Sequence, residues 1–468
     1  MTEFHTMSAT ELIAGYRDRS FSPVDVTEAI LGRIEQLDPK VNAFVTETPE
    51  LAIEQAKAAE AAYRNGEAAP LAGVPTSIKD LTVTKGIRTT RGSLLFADWT
   101  PDFDPPVMER IYASGAVMLG KTSTPEMGWK GETTNRVSGS THNPWKYGLT
   151  PGGSSGGGAA AVAIGFGPLA QGSDGAGSIR IPCSFSGIFG LKPSSGLVPQ
   201  YPPSLTGDIS HVGPMTRTVE DAALFLSVMA GADPRDRLSW SSGIDYVSAL
   251  NEPLPKLRIA WSPDLGYVKA DPEILSLVEH AAQAFREMGH LVEAATPDVA
   301  DPIDILDMIW ASAQAGGYRD NLDQVADQLD PGRLNVIQTA PTLSVVDFGA
   351  AMVARNTYYQ AIRQFMESYD LLLTPTMPCS PFPVGLDQPE HSGRPSLSSL
   401  GWSPFTYPFN LTGQPAATVP AGFTKDGLPV GLQIVGRFHD DVTVLQAAKA
   451  FEAARPWAQV WPDDEPFR

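Results

Sequence analysis

The run from residue 152 to residue 193, GGSSGGGAAAVAIGFGPLAQGSDGAGSIRIPCSFSGIFGLKP, constrains this chain more than any other stretch. It holds two serine-bearing glycine turns separated by an apolar segment. Glycine serves where the backbone must take positive φ or approach a ligand closely, so two loops rich in hydroxyls and free amides point to a reaction centre rather than a plain core. The joint from Gly172 to Pro182 reads as strand, loop and helix start. It aims the amides of Gly175, Ala176, Gly177 and Ser178 at one point, the geometry of an oxyanion hole. Upstream, Lys79 ends the apolar run GVPTSIK, which reads on its own as a lysine snorkelling from a strand end.

Around this run the chain alternates short apolar segments with helical patterns. Residues 8–65 carry helical periodicity (Leu12, Tyr16, Val26, Ile30, Ile34) and predict an N-terminal helical layer. The segments VPTSIKD, AVMLGKT, LRIAW, DLLLTPT, AATVPAG and GLQIVG read as buried strands, and 272–288, 345–368 and 442–454 as helices. The stretch 378–406 reads as surface loops. The expected fold class is α/β, a single large domain over 1–468 with a central mixed sheet covered by helices on both faces. Within it, 73–200 forms the catalytic core and 201–468 the rest of the sheet and the pocket loops.

With 53 acidic against 34 basic residues, the net charge of −19 disfavours nucleic acid or an anionic membrane as partner. Two cysteines, Cys183 and Cys379, supply no Cys-based metal cluster and fit a reducing cytoplasm. The first residues lack the apolar core of a signal peptide, and no run is long enough to span a bilayer. The reading therefore calls for no metal, no cofactor, no membrane and a monomer or homodimer.

Two further motif matches compete for the chemistry. Residues 115–122 fit the phosphate-loop spacing G-x4-G-K-T, but the intervening AVML reads as a buried strand. Residues 152–156 fit the G-x-S-x-G nucleophile elbow, which demands a histidine, and none of the downstream candidates His211, His280, His290, His391 and His439 sits in a context that marks it. A serine can instead take a lysine base, provided burial keeps the amine neutral.

The run GGSSGG, followed by GSDGAGSIRIP and GLKPSSGLVP, resembles the signature of the amidase signature family of serine hydrolases. Ser154 and Ser178 are 24 residues apart and Lys79 and Ser178 are 99 apart, as in that family. Similarity runs from Thr10 to Phe451 through KTSTPEMGWKGETTN, GPMTRTVEDAALFL, NLTGQPAATVPAGF and GLPVGLQIVGR. The resemblance implies Ser178 as nucleophile, Ser154 as bridging serine behind a cis Gly153-Ser154 peptide, and Lys79 as base. It further implies an acyl-enzyme route for hydrolysing a small amide, with ester or carbamate cleavage as alternatives and water as co-substrate. Ser155 is expected to support the triad, and Asp174 with Arg180 to form a structural pair. The family's commonest loop has two glycines before the nucleophile, so Ala176 is expected to bend the loop or narrow the acyl pocket. Met127 and Trp129 lie in the segment that lines the family's pocket; with Trp310, Trp402 and Phe405 they suggest an apolar or aryl substrate. The family also includes the glutaminase component of glutamyl-tRNA amidotransferases, but the aspartate that anchors glutamine there is Ser403 here.

Overall fold

Helix start signals are honoured first. Ser8 and Ser22 each close a capping box, with Glu11 and Asp25, and launch helices Ala9–Asp18 and Pro23–Val41, the second with Pro23 in its first turn. Leu12, Tyr16, Val26, Ile30 and Ile34 form one buried stripe, and helix Pro49–Asn65 completes the layer. The computed structural model describes residues 3–390 and 394–468.

The strands are β1 (Phe44–Glu47), β2 (Pro75–Lys79), β3 (Val117–Thr122), the small hairpin β4 (Thr134–Asn135) and β5 (Gly139–Ser140), β6 (Leu169–Asp174), β7 (Phe189–Lys192), β8 (His211–Thr216), β9 (Arg258–Trp261), β10 (Leu291–Ala294), β11 (Leu371–Pro375), β12 (Ala416–Phe423) and β13 (Pro429–Gly436). All but the hairpin build one 11-stranded sheet in the order β1-β3-β2-β6-β8-β7-β12-β13-β11-β9-β10. It is mixed: β3, β2 and β6 run parallel, as do β10, β9 and β11, while the remaining pairings are antiparallel. Alternate strand residues feed opposite faces, as the pleat requires. Leu371 and Leu373 join the large core with helices Val219–Met229, Pro272–Glu287 and Asp441–Ala454, whereas Leu372 packs with Tyr358, Ile362 and Met366 on the other side. The chain is thus a single α/β domain with helices on both faces.

The glycine run is what lets helix Gly156–Ile164 lie in the middle of this body. A Cβ on Gly157 would come within 2.4 Å of the Ser123 nitrogen and 2.5 Å of the Ala43 oxygen, so only hydrogen fits between helix and strand end.

Several elements escape periodicity. β1 interrupts the N-terminal layer, and β7, β8, β10 and helix Ile303–Gly316 lie outside the segments expected above. The stretch 378–406 is not all surface. Trp402 is fully buried against Phe185 and Phe382, and Phe405 joins the core beside Phe409 and Leu372, because two large aromatics cost more in water than the irregular backbone costs to bury. Among the described residues no single helix is long and apolar enough to cross a membrane.

Candidate active site

Three features of the fold converge where parallel strands end. Lys79 closes β2, Ser173 and Asp174 close β6, and Ser154 and Ser155 precede helix Gly156–Ile164. Strand ends beside helix starts gather backbone amides and carbonyls at one edge of a sheet.

Lys79 is fully buried. Its Nζ donates to Ser154 Oγ at 2.8 Å, to Ser155 Oγ at 2.8 Å and to the Ser173 carbonyl at 3.2 Å. Burial drives its pKa from 10.5 down to about 7, against the opposing pull of the Asp174 charge. Ser155 is tied on both sides, donating to the Ser173 carbonyl at 3.1 Å and accepting from the Ser173 amide at 3.3 Å. The peptide Gly153-Ser154 is cis.

Ser178 reaches the same place from the second loop, where its carbonyl accepts from the Ser155 amide at 3.1 Å. Ser154 and Ser178 both open onto one cavity of about 210 Å³. Their hydroxyls are not hydrogen-bonded to each other among the described residues, so the link from Ser154 to Ser178 is open here; catalytic hydrogen bonds commonly tighten only around substrate.

The loop 174–180 is held by ionic pairing beneath it. Burial by itself would push the Asp174 carboxyl up, but the Arg180 guanidinium, Lys192 and Asn410 hold it well below the usual carboxylate range. Arg180 bonds both Asp174 oxygens at 3.0 Å, and its other donors reach Thr406 O, Gln433 Oε1 and Asn410 Oδ1. Asp174 also accepts from the Gly177 amide at 2.6 Å. This corrects the expected set of amides: Gly177 N–H is spent on Asp174, while the amides of Gly175, Ala176 and Ser178 have no protein acceptor among the described residues.

The expected disturbance at Ala176 is also corrected. Of Gly175, Ala176 and Gly177, only Gly177 takes positive φ, at +127°, and a Cβ there would meet Thr406 Oγ1 at 2.4 Å. Ala176 needs no glycine. It packs with Ile209 and Trp310, and its carbonyl accepts from Thr406 Oγ1 at 2.7 Å.

Met127 lines the cavity with Leu81, Val107, Val212 and Trp310. Trp129 does not; it is fully buried among Ala311, Val336 and Ala340, and its carbonyl accepts from Trp310 Nε1 at 3.2 Å. Met127 takes a left-handed backbone conformation, φ +52°. Trp402 and Phe405 are core residues, and Ser403 is buried, donating to the Leu400 carbonyl.

The rival motifs resolve on geometry. Lys121 lies inside β3, fully buried, bonded to Thr84 and Thr89 and 3.8 Å from Asp80, so no phosphate could reach it. The partner of Ser154 is a lysine. His211 packs under the loop with Nδ1 3.2 Å from the Asp174 carbonyl, and His391 lies outside the described residues. No group of three or more His, Cys, Asp or Glu residues suited to a metal occurs among the described residues. Thr406, Asn410 and Gln433 were not singled out from sequence as site residues, although Asn410 and Gln433 sit in the quoted stretches NLTG and GLQIVG.

A family model described as Amidase matches residues 25–445. The chain is 42% identical to an acylamidase of Rhodococcus erythropolis, covering 99% of both chains. It is 36% identical to a glutamyl-tRNA(Gln) amidotransferase component of Moorella thermoacetica, covering 98% of this chain and 99% of the relative. Among solved structures it is similar to a bacterial aryl acylamidase belonging to the amidase signature enzymes, with 32% identity, a TM-score of 0.90 and 98% of each chain covered.

Proposed function

The chain belongs to the amidase family and is an amide-hydrolysing enzyme, and from that premise we propose that it cleaves small apolar or aryl amides through an acyl-enzyme on Ser178. The observation that carries this is the buried Lys79 amine, 2.8 Å from Ser154 Oγ, whose pKa burial lowers to about 7.

Neutral Lys79 takes the Ser154 proton as Ser154 takes that of Ser178, whose Oγ attacks the amide carbonyl. The carbonyl oxygen becomes an anion held by the amides of Gly175, Ala176 and Ser178. Ser154 then delivers the proton to the departing nitrogen, and the amine leaves. Water enters by the same relay in reverse, attacks the Ser178 ester and frees the acid. The apolar wall of Leu81, Met127, Val107, Val212 and Trp310 favours an aromatic or aliphatic substrate. The similarity to acylamidases supports the same reading. Esters and carbamates present the same carbonyl and are expected as further substrates of the same serine.

Assay of the purified chain on a panel of anilides, esters and carbamates tests this, with Ser178→Ala as control. Turnover is expected to fall by roughly ten-thousand-fold in the variant. Glutamine hydrolysed in preference to every anilide would favour the amidotransferase role instead.

A further inference from the structure

The cavity that receives the two serines is lined by one charged side chain among the described residues. Among the described residues lining it, Arg91 alone is ionised; the others are apolar, hydroxyl or amide groups. In a chain with net charge −19, the one charge lining this wall is positive.

Arg91 is held in place but not neutralised. Its backbone takes a left-handed turn, φ +54°, and its carbonyl accepts from the Met127 amide at 2.8 Å, fixing it beside the residue that lines the pocket. The guanidinium lies over two rings, its Cζ 4.9 Å from the Trp99 centroid and 5.4 Å from that of Phe96. Stacking of this kind orients the planar fork while leaving its in-plane N–H groups unused. No hydrogen bond or ion pair to the side chain occurs among the described residues, and the buried Nε has no acceptor. Asp80, the carboxylate whose charge acts on it, makes no ion pair with it: its Oδ1 lies 3.8 Å from Lys121 and its Oδ2 accepts from the Thr90 amide and hydroxyl. A neighbouring guanidinium shows the contrast: Arg333 is paired with Glu126 at 3.3 Å and bonded to Gln314 and Tyr318.

We propose that Arg91 is a specificity-determining residue that binds a carboxylate on the substrate, so that the preferred amides are carboxylated aryl or alkyl amides rather than neutral ones. This rests on the assignment of the cavity as the site of amide hydrolysis. A carboxylate pairs with a guanidinium fork in bidentate fashion, and no protein carboxylate occupies the Arg91 fork among the described residues. The apolar wall then takes the ring or chain between carboxylate and scissile amide.

The test compares kcat/KM for 3- and 4-acetamidobenzoate with that for acetanilide. The wild-type enzyme is expected to favour at least one carboxylated anilide by about 10- to 100-fold, the strength of a charge-assisted pair. In Arg91→Met that ratio is expected to fall to one or below, and in Arg91→Lys to recover in part. Equal rates on charged and neutral anilides in the wild type, or an unchanged ratio in Arg91→Met, would overturn the proposal. Calorimetric binding of the same two acetamidobenzoates to Ser178→Ala, with and without Arg91→Met, reads Arg91 independently of turnover. Binding at least tenfold tighter than acetanilide and lost with Arg91 supports it, and equal binding refutes it, even if the acyl-transfer reading itself fails.

Discussion

The Ser155 amide donates to the Ser178 carbonyl across 3.1 Å, so the two glycine loops are stitched together at the point where the proposed chemistry occurs. Ser155 also accepts from Lys79 at 2.8 Å, which makes it the joint between base, bridge and nucleophile loop. Replacing Ser155 by Ala keeps the backbone stitch and removes the hydroxyl. Activity on an anilide is expected to fall by about 3- to 10-fold, the worth of the hydrogen bond from Lys79, with the fold intact by circular dichroism. Unchanged kcat would remove Ser155 from the site.

As the proposed base, Lys79 is expected to set the pH dependence. Its conjugate acid has a pKa lowered to about 7, so the amine is protonated and inactive below that value and neutral above it. The kcat/KM profile is therefore expected to rise with pH through about 7 and then level. Lys79→Ala is expected to lose roughly a thousandfold at every pH. A flat wild-type profile from pH 5 to 9 would contradict a lysine base.

Asp174 and Arg180 form a fully buried pair. Asp174→Asn leaves the guanidinium buried without its counter-charge, and a loss of about 3–5 kcal/mol in folding stability is expected, measured by denaturant titration. A variant as stable as the wild type would show that the pair does not hold the loop.

Gly177 and Ala176 separate backbone need from family habit. Gly177→Ala forces a Cβ to within 2.4 Å of Thr406 Oγ1 at φ +127°, with an expected cost of about 1–3 kcal/mol and collapse of activity. Ala176→Gly, at a position without positive φ, is expected to retain most turnover. Steady-state rates and thermal midpoints of the two variants check this, and equal effects would dissolve the distinction.

The site was legible in sequence to the extent that its residues are local. Lys79 ends a strand, and Ser154 and Ser178 sit in glycine turns; each reads from its own segment, and the family resemblance links the three. Residues that act across the fold were not legible: Thr406, Asn410 and Gln433 lie more than 220 positions from the loop they hold, and Arg91 stands out only once the fold places it in the cavity lining. Trp129 shows the opposite error, a motif residue whose side chain is buried in the core among Ala311, Val336 and Ala340. β7 and β8 eluded the pattern because their short runs, FGLK and HVGPMT, carry glycine and proline that local reading assigns to turns.

The central claim is that Ser178 carries the acyl group. Quenching the enzyme during turnover of an activated aryl ester and digesting it for mass spectrometry tests this directly. The acyl mass is expected on the peptide containing Ser178 in the wild type, and on no peptide in Ser178→Ala. An adduct on Ser154 or on any other residue, with Ser178 unmodified, would contradict the account.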